Sequence, residues 1–438
     1  MQNETCLFVY GTLRQPVNHP IPSPEALNHV LTSWLVPILV ALLTSVSFLP
    51  VLGNEFVDWD DYKMLVENPH YRGLSWHRLR WMFTTFHMGH YQPLTWVTFA
   101  LDYLLWGTDP FGYHLTNLLI HAANAVLFYF VGHRLLSVAG SVPTSRGYLL
   151  SVSAAFAALL FGVHPLRVES VAWATERRDV LAGFFFLGTI LGYLRANSVP
   201  EGRQARRQWL LAAVILYFLS LLSKASGITL PIVMLILDVY PLRRLGGQRA
   251  GWLGPAARRV WWEKVPFLLL AVTFAIVALI AQESSGALKA VGKYDLLQRI
   301  AQAGFGLAFY LWKFALPWGL SPLYELPVEL NPFEWSYVAS GFLVLVISVC
   351  LYLVKRRWAA GVAIWIYYVV VLFPVLGFAQ SGPQLVADRY SYLSCMGWAL
   401  LGGAGLHLCR GDSVGAKFKG AAPFSMRWLR GLYSSYAF

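Results

Sequence analysis

The chain has 438 residues, of which 57% are hydrophobic and 13% charged, about half the roughly 25% charge of soluble domains. With 18 Trp, 22 Tyr, 27 Phe and a mean hydropathy of +0.52, it lacks the polar surface to cover a water-soluble globule. That excludes a soluble enzyme and a nucleic-acid-binding domain, so the excess of 34 Lys+Arg over 22 Asp+Glu, a net +12, reads as membrane topology.

Residues 1–33 are polar, without the charged flank, short apolar core and small-residue site of a cleavable signal peptide. Residues 7–20, LFVYGTLRQPVNHP, resemble the first strand and glycine turn of the gamma-glutamylcyclotransferases. Nothing downstream continues that likeness, and it is given no function. Eleven apolar runs then follow, at 34–51, 113–131, 148–163, 180–194, 209–222, 227–240, 265–281, 300–318, 337–354, 359–378 and 391–408. Each is long enough, or nearly so, to cross a hydrocarbon core. They are continuous rather than alternating, which excludes an outer-membrane barrel. The predicted fold is all-α, a polytopic transmembrane bundle over 34–408 with a large outer loop at 54–112 and a basic tail at 409–438. A further run, 94–105, is short and follows Pro93, so it reads as re-entrant or interfacial. Cys6, Cys350, Cys395 and Cys409 have no CxxC spacing and read as small buried hydrophobes.

Charge orients the bundle. The loop 195–207 is net +3 and the loop 243–264 net +5, whereas 54–112 is net −3; the first two belong in the cytoplasm. The N-terminus is therefore expected inside a multi-pass inner or plasma membrane protein, with 54–112 outside. The C-terminal half breaks the alternation, because Lys355-Arg356-Arg357 and the basic tail also belong inside. Either the run 300–318 is not a simple crossing or another crossing is hidden; Pro317 and Pro322 favour the first.

Three clusters can carry chemistry. Asp58, Asp60 and Asp61 fall within four residues just after the first span, where a carboxylate can serve as a general base; a solvated acidic turn is the plainer reading. His164, Arg167, Glu169, Glu176, Arg177, Arg178 and Asp179 lie between the third and fourth spans. Bases on an outer face oppose the topology bias, and a lipid-linked phosphate would explain them, as would pairing among themselves. Lys224 and Arg389 sit at the membrane boundary, where snorkelling is the alternative. His114, Asn117, His121 and Asn124 recur at spacings of three and four, a polar stripe facing the bundle interior.

The stretches FVDWDDYKMLVENPHYRGLSW, GYHLTNLLIHAANAVLF, GVHPLRVESVAWATERRDVLAGFFFLGTILGY, LSLLSKASGITLPIVMLILDVYPLRR and ADRYSYL resemble the membrane half of the transmembrane and tetratricopeptide-repeat O-mannosyltransferases, in particular their bacterial-type relatives. The resemblance covers about 34–408. It implies a GT-C glycosyltransferase fold and a sugar donor carried on polyprenyl phosphate. The family's acidic motif falls on Asp60 and Asp61 as catalytic residues. Donor-phosphate contacts fall on Arg177, Arg178, Lys224, Arg389 and Tyr390, with His164, Glu169 and Asp179 supporting. The family continues into tetratricopeptide repeats, which this sequence does not show.

The expected function is transfer of a mannose-like sugar from polyprenyl phosphate to an acceptor hydroxyl on protein or glycan at the outer face. The partners are that donor, the acceptor and membrane lipid, with no nucleic acid. No cofactor is fixed by the sequence; a divalent metal on His164, Glu169 or the aspartates is the one candidate. The rival readings are a transporter or flippase and an inactive fragment of the enzyme. Ionisable groups gathered at the boundary rather than the midplane favour chemistry over carriage.

Overall fold

A computed structural model describes residues 24–140, 147–246, 251–286, 294–378 and 382–411. The stretch 7–20 and most of the basic tail lie outside the described residues. In chain order the helices are α1 (Pro24–Phe48), α2 (Trp76–Thr84), α3 (Pro93–Trp106), α4 (Pro110–Ala139), α5 (Gly147–Gly162), α6 (Val168–Ala172), α7 (Arg177–Ala196) and α8 (Gln204–Ser223). They continue with α9 (Leu230–Val239), α10 (Pro255–Ser284), α11 (Leu296–Ala315), α12 (Trp335–Val354), α13 (Ala359–Leu372), α14 (Ser391–Ser394) and α15 (Met396–Gly411). Two short strands, β1 (Tyr324–Glu325) and β2 (Gln384–Val386), pair antiparallel.

This is an all-α, multi-pass membrane protein. The eleven predicted runs all fall on helices, but fewer of those helices are long and apolar enough to cross a membrane by themselves. Among the described residues six helices are long and apolar enough to cross a membrane, or seven if the bent pair Gly147–Gly162 and Pro165–Ala172 is one span. The shortfall has local causes. Proline interrupts the helix after Val163 and helps to bend that pair by 56°. Helices α9, α13 and α15 are shorter apolar pieces; α9 follows a 3₁₀ turn that begins beside Lys224, and α15 follows the broken segment Asp388–Ser394.

Local signals set the key boundaries. Asp109 accepts from Phe111 N at 3.0 Å and Pro110 fills the first turn of α4. Asp295 and Gln298 form a reciprocal capping box on α11. Helices α4, α5 and α7 pack together with α1 against α4, α8 against α7 and α15 against α5. Their shared core holds Phe128, Phe161, Phe186 and Tyr217. The loop 54–112 has a core in which Met64, Tyr71, Met82, Trp96 and Phe99 are buried, joined by Tyr113 of α4. It is a folded cap, and the run 94–105 is helix α3 within it, too short to span.

The bundle has two chemically distinct ends. One carries the cap, the segment Pro165–Glu176, Lys224 and the turn Asp388–Tyr390. The other carries the basic loops after α7 and α9, where Asp238 is buried among Tyr193 (2.8 Å), Arg244 (3.0 Å) and Lys264 (2.7 Å). Glu263 bridges Arg206 and Arg244 there. Helix α11 begins and ends at the cap end. Near its start, Arg299 donates to the carbonyls of Gly377 and Phe378, beyond the end of α13; in its last turn, the Phe314 carbonyl accepts from His164 Nε2. Helix α13 starts from the basic end, where Ala360 lines a cavity with Tyr240 and Pro241. Helix α11 is thus not among the helices long and apolar enough to cross a membrane, and Lys355–Arg357 lie toward the end that carries 195–207.

Candidate active site

The site grows from two breaks in the helical pattern. Pro165 ends the α5 direction and starts a chain of short turns through Glu176, so Glu169, Glu176 and Asp179 converge on one face at the cap end. Opposite, α8 ends at Ser223 and Lys224 takes an extended conformation. The turn Asp388–Tyr390 closes the third side.

Glu176 is fully buried at the centre. Arg178 meets it at 2.6 Å, Lys224 at 3.1 Å and Arg389 Nε at 3.4 Å. Lys224 also reaches Asp179 at 2.7 Å. Arg389 pairs with Glu169, whose other oxygen accepts from Arg389 N at 2.7 Å. The three cations are thereby fixed in place without exhausting their donors. Arg178 Nη1 is buried with no hydrogen-bond partner, and Lys224 retains a third proton beyond its two carboxylates.

Asp60 and Asp61 part company here. Asp61 has no exposure, and its two oxygens accept from Thr175 N (2.9 Å) and Val57 N (3.1 Å). Burial raises its pKa above the ordinary carboxylate value, although these hydrogen bonds oppose the rise. It pins the cap to the 3₁₀ turn Ala174–Glu176. Asp60, 31% exposed, opens toward the cluster with an oxygen 3.6 Å from Arg178 Nη2. Beside it, the half-exposed Trp59 ring packs on Trp173 at 5.6 Å, and Arg389 lies over the other ring at 5.5 Å.

Two of the expected site residues are placed apart from this cluster. Arg177 is fully buried and binds Asp102 (2.6 Å), the Tyr113 carbonyl (2.7 Å) and Asn117, above the Phe99 ring. One residue along a helix turns the side chain by about 100°, which separates it from Arg178. His164 has both ring nitrogens engaged by the backbone. Its Nδ1 accepts from Leu166 N (3.2 Å), its Nε2 lies 3.0 Å from the Phe314 carbonyl, and its ring stacks on Phe314 at 4.9 Å. Among the described residues, no three His, Cys, Asp or Glu side chains form a group able to hold a metal. Glu169, Asp60 and Asp179 are engaged with cations instead.

Tyr390 lies at the margin, accepting from Gln384 at 2.7 Å. The polar stripe of α4 does face inward. Asn117 holds the carbonyls of Val171 and Trp173, and His121 and Asn124 meet the Tyr392 hydroxyl at 2.9 and 2.7 Å. One further group was not singled out in sequence, although it lies within ADRYSYL. Asp388 takes a hydrogen bond from Tyr324 at 3.2 Å, and burial, with Glu169 nearby, pushes its pKa up to about 6.

Comparison with known proteins gives partial matches. The chain is 33% identical over 233 residues to Protein O-mannosyl-transferase TMTC4 of Homo sapiens, covering 49% of this chain and 31% of that protein. It is 36% identical over 169 residues to Protein O-mannosyl-transferase Tmtc3 of Drosophila melanogaster, 35% of this chain and 18% of the relative. It is also 34% identical over 155 residues to Protein O-mannosyl-transferase tmtc2 of Xenopus laevis, covering 35% and 17%. The chain thus spans a third or less of the length of these curated relatives. No family model matches the chain, and no solved structure does.

Proposed function

We propose that the protein is a GT-C-like membrane glycosyltransferase that moves a mannose-like sugar from polyprenyl phosphate to a hydroxyl on an acceptor protein. The reaction takes place at the cap end, which faces away from the cytoplasm if the basic loops lie inside. The relatives' names support the sugar and the protein acceptor. The observation that carries the reading is Asp60: an accessible carboxylate 3.6 Å from Arg178, at the rim of three fixed cations.

In this mechanism Asp60 takes the proton of the acceptor hydroxyl as its oxygen bonds to the anomeric carbon. The bond from that carbon to the phosphate oxygen breaks, and its electron pair stays on the phosphate. Arg178, Lys224 and Arg389 stabilise that charge where it develops. Trp59 offers an apolar face for the incoming group beside the base. Arg177 and Asp61 hold the cap against the bundle and do not touch the reacting atoms.

Charge placement supports catalysis over transport. Ionic clusters occupy the two ends, while between them the α4 stripe holds the hydrogen-bonded set His121, Asn124 and Tyr392. The test is transfer of radiolabelled mannose from polyprenyl phosphate by the purified protein to an acceptor peptide, beside Asp60→Asn. Transfer by wild type alone is expected; equal transfer by the variant would remove Asp60 from the mechanism, and no transfer by a folded wild type would remove the function.

A further inference from the structure

Arg167 lies two residues before Glu169, and the mechanism above makes no use of it. It is fully buried at the end of the 3₁₀ turn Pro165–Arg167, where its backbone N–H donates to the His164 carbonyl at 2.9 Å. Its Nη2 donates to Ser391 Oγ at 2.9 Å, while Nε and Nη1 are buried without a hydrogen-bond partner. The guanidinium lies over the Phe161 and Tyr392 rings, 5.4 and 5.5 Å from their centres. An apolar side chain of similar length would fill this place without the cost of dehydrating a charge. Packing alone does not account for an arginine here, and its one directed contact is with Ser391.

That contact leads to Arg389. Ser391 Oγ donates in turn to the Asp388 carbonyl at 2.6 Å, across the 3₁₀ turn that carries Arg389. From the same short segment as Arg167, Glu169 accepts from Arg389 N at 2.7 Å and from the Arg389 guanidinium. Residues 167 and 169 thus grip residues 391 and 389, which lie 224 and 220 residues further along the chain.

Tyr392, whose ring the guanidinium covers, is itself fixed. His121 bridges the Gly162 carbonyl (2.8 Å) and the Tyr392 hydroxyl (2.9 Å), and Asn124 donates to that hydroxyl at 2.7 Å. The ring also sits close against α7, where a Cβ on Gly183 would fall 2.7 Å from Tyr392 Cε1. Glycine is what permits that approach. The polar stripe of α4 therefore anchors one wall of the Arg167 pocket.

We propose that Arg167 is a positioning residue for Arg389. Through Ser391 and Tyr392 it holds the turn Asp388–Tyr390, so that the Arg389 guanidinium stays directed at the phosphate of the lipid-linked sugar. The inference rests on the function proposed above and adds to that site a residue which does not itself touch the substrate.

The test is a double-mutant cycle on the binding of farnesyl phosphate to the purified full chain by calorimetry, with farnesol as the uncharged control. Arg389→Gln is expected to weaken farnesyl phosphate about 10-fold or more, the range for a hydrogen bond to a charged group. Arg167→Met should weaken it about 10-fold, within the range for coupled neighbours, and leave farnesol unchanged. In the Arg389→Gln background Arg167→Met should add less than about twofold, because the residue it positions is gone. A merely structural Arg167 would lower the unfolding temperature in both backgrounds and leave the affinity of the folded protein unchanged. Ser391→Ala cuts the same link with little loss of packing. It should weaken binding about threefold, the range for one neutral hydrogen bond, and have no effect beside Arg389→Gln; this cycle decides the matter if Arg167→Met does not fold. Unchanged binding by the folded variants would overturn the proposal, as would losses that multiply with that of Arg389→Gln, equal losses of both ligands, or a wild type that does not distinguish them. Coupling of Arg167 to Arg389 in a wild type that transfers no sugar would instead overturn the transferase reading alone.

Discussion

Asp60 and Asp61 are adjacent in the chain and face opposite ways in the fold. The Asp61 carboxylate is sealed, one oxygen on Thr175 N at 2.9 Å and the other on Val57 N at 3.1 Å. The Asp60 carboxylate is open and lies 3.6 Å from Arg178. One is a clamp between the cap and the turn before α7; the other is free to meet a substrate.

Substitution should separate these roles. Asp60→Asn removes the base, and transfer is expected to fall by about 10²–10⁴-fold with the unfolding temperature unchanged. Asp61→Asn sets an amide against two backbone N–H groups and should cost about 1–3 kcal/mol of stability, with activity per folded molecule largely kept. Initial rates and thermal unfolding of the two variants decide the matter; the reverse pattern would make Asp61 the base.

Arg177 is predicted to be structural. Its pair with Asp102 is buried and joins α7 to α3 of the cap. Arg177→Met strands that carboxylate and should destabilise by about 3–5 kcal/mol. Adding Asp102→Leu should recover part of the loss, and a double-mutant cycle should show coupling of about 0.5–3 kcal/mol. Additive losses would mean that the two residues act independently.

Asp388 makes stability depend on pH. Its folded pKa of about 6 stands above the ordinary 3.8, so between those values the folded protein holds a proton that the unfolded chain has released. Stability therefore falls as pH rises from about 4 to about 6, and the loss persists above. Asp388→Asn keeps an acceptor for Tyr324 and has no charge to bury. Its unfolding temperature relative to wild type should climb between pH 4.5 and pH 7; a constant difference across that range would refute the assignment.

The in-plane placement of α11 is open to labelling in a cysteine-free background. A membrane-impermeant maleimide should reach Trp76→Cys and Val328→Cys, both at strongly exposed positions, from one side. It should reach Arg203→Cys and Arg356→Cys from the other. Labelling of Arg356→Cys from the Trp76 side would restore a crossing to α11.

Much of this was legible in the chain itself. Apolar runs, basic loops and the three-and-four spacing of His114, Asn117, His121 and Asn124 depend on local composition and helical period, so they survive without knowledge of neighbours. The charged motif of 164–179 was equally visible as a motif. What the fold alone decided was direction. Arg177 and Arg178 differ by one step of about 100°, and only the packing of α3 and α8 against α7 assigns one to Asp102 and the other to Glu176. Asp60 and Asp61 are told apart by where the cap meets Thr175. Helix α11 is amphipathic enough to read as a span until its two ends are seen at the same end of the bundle. The meeting of Lys224 and Arg389 on Glu176 comes from contacts between segments far apart in the chain, and linear sequence does not encode such contacts in any local period.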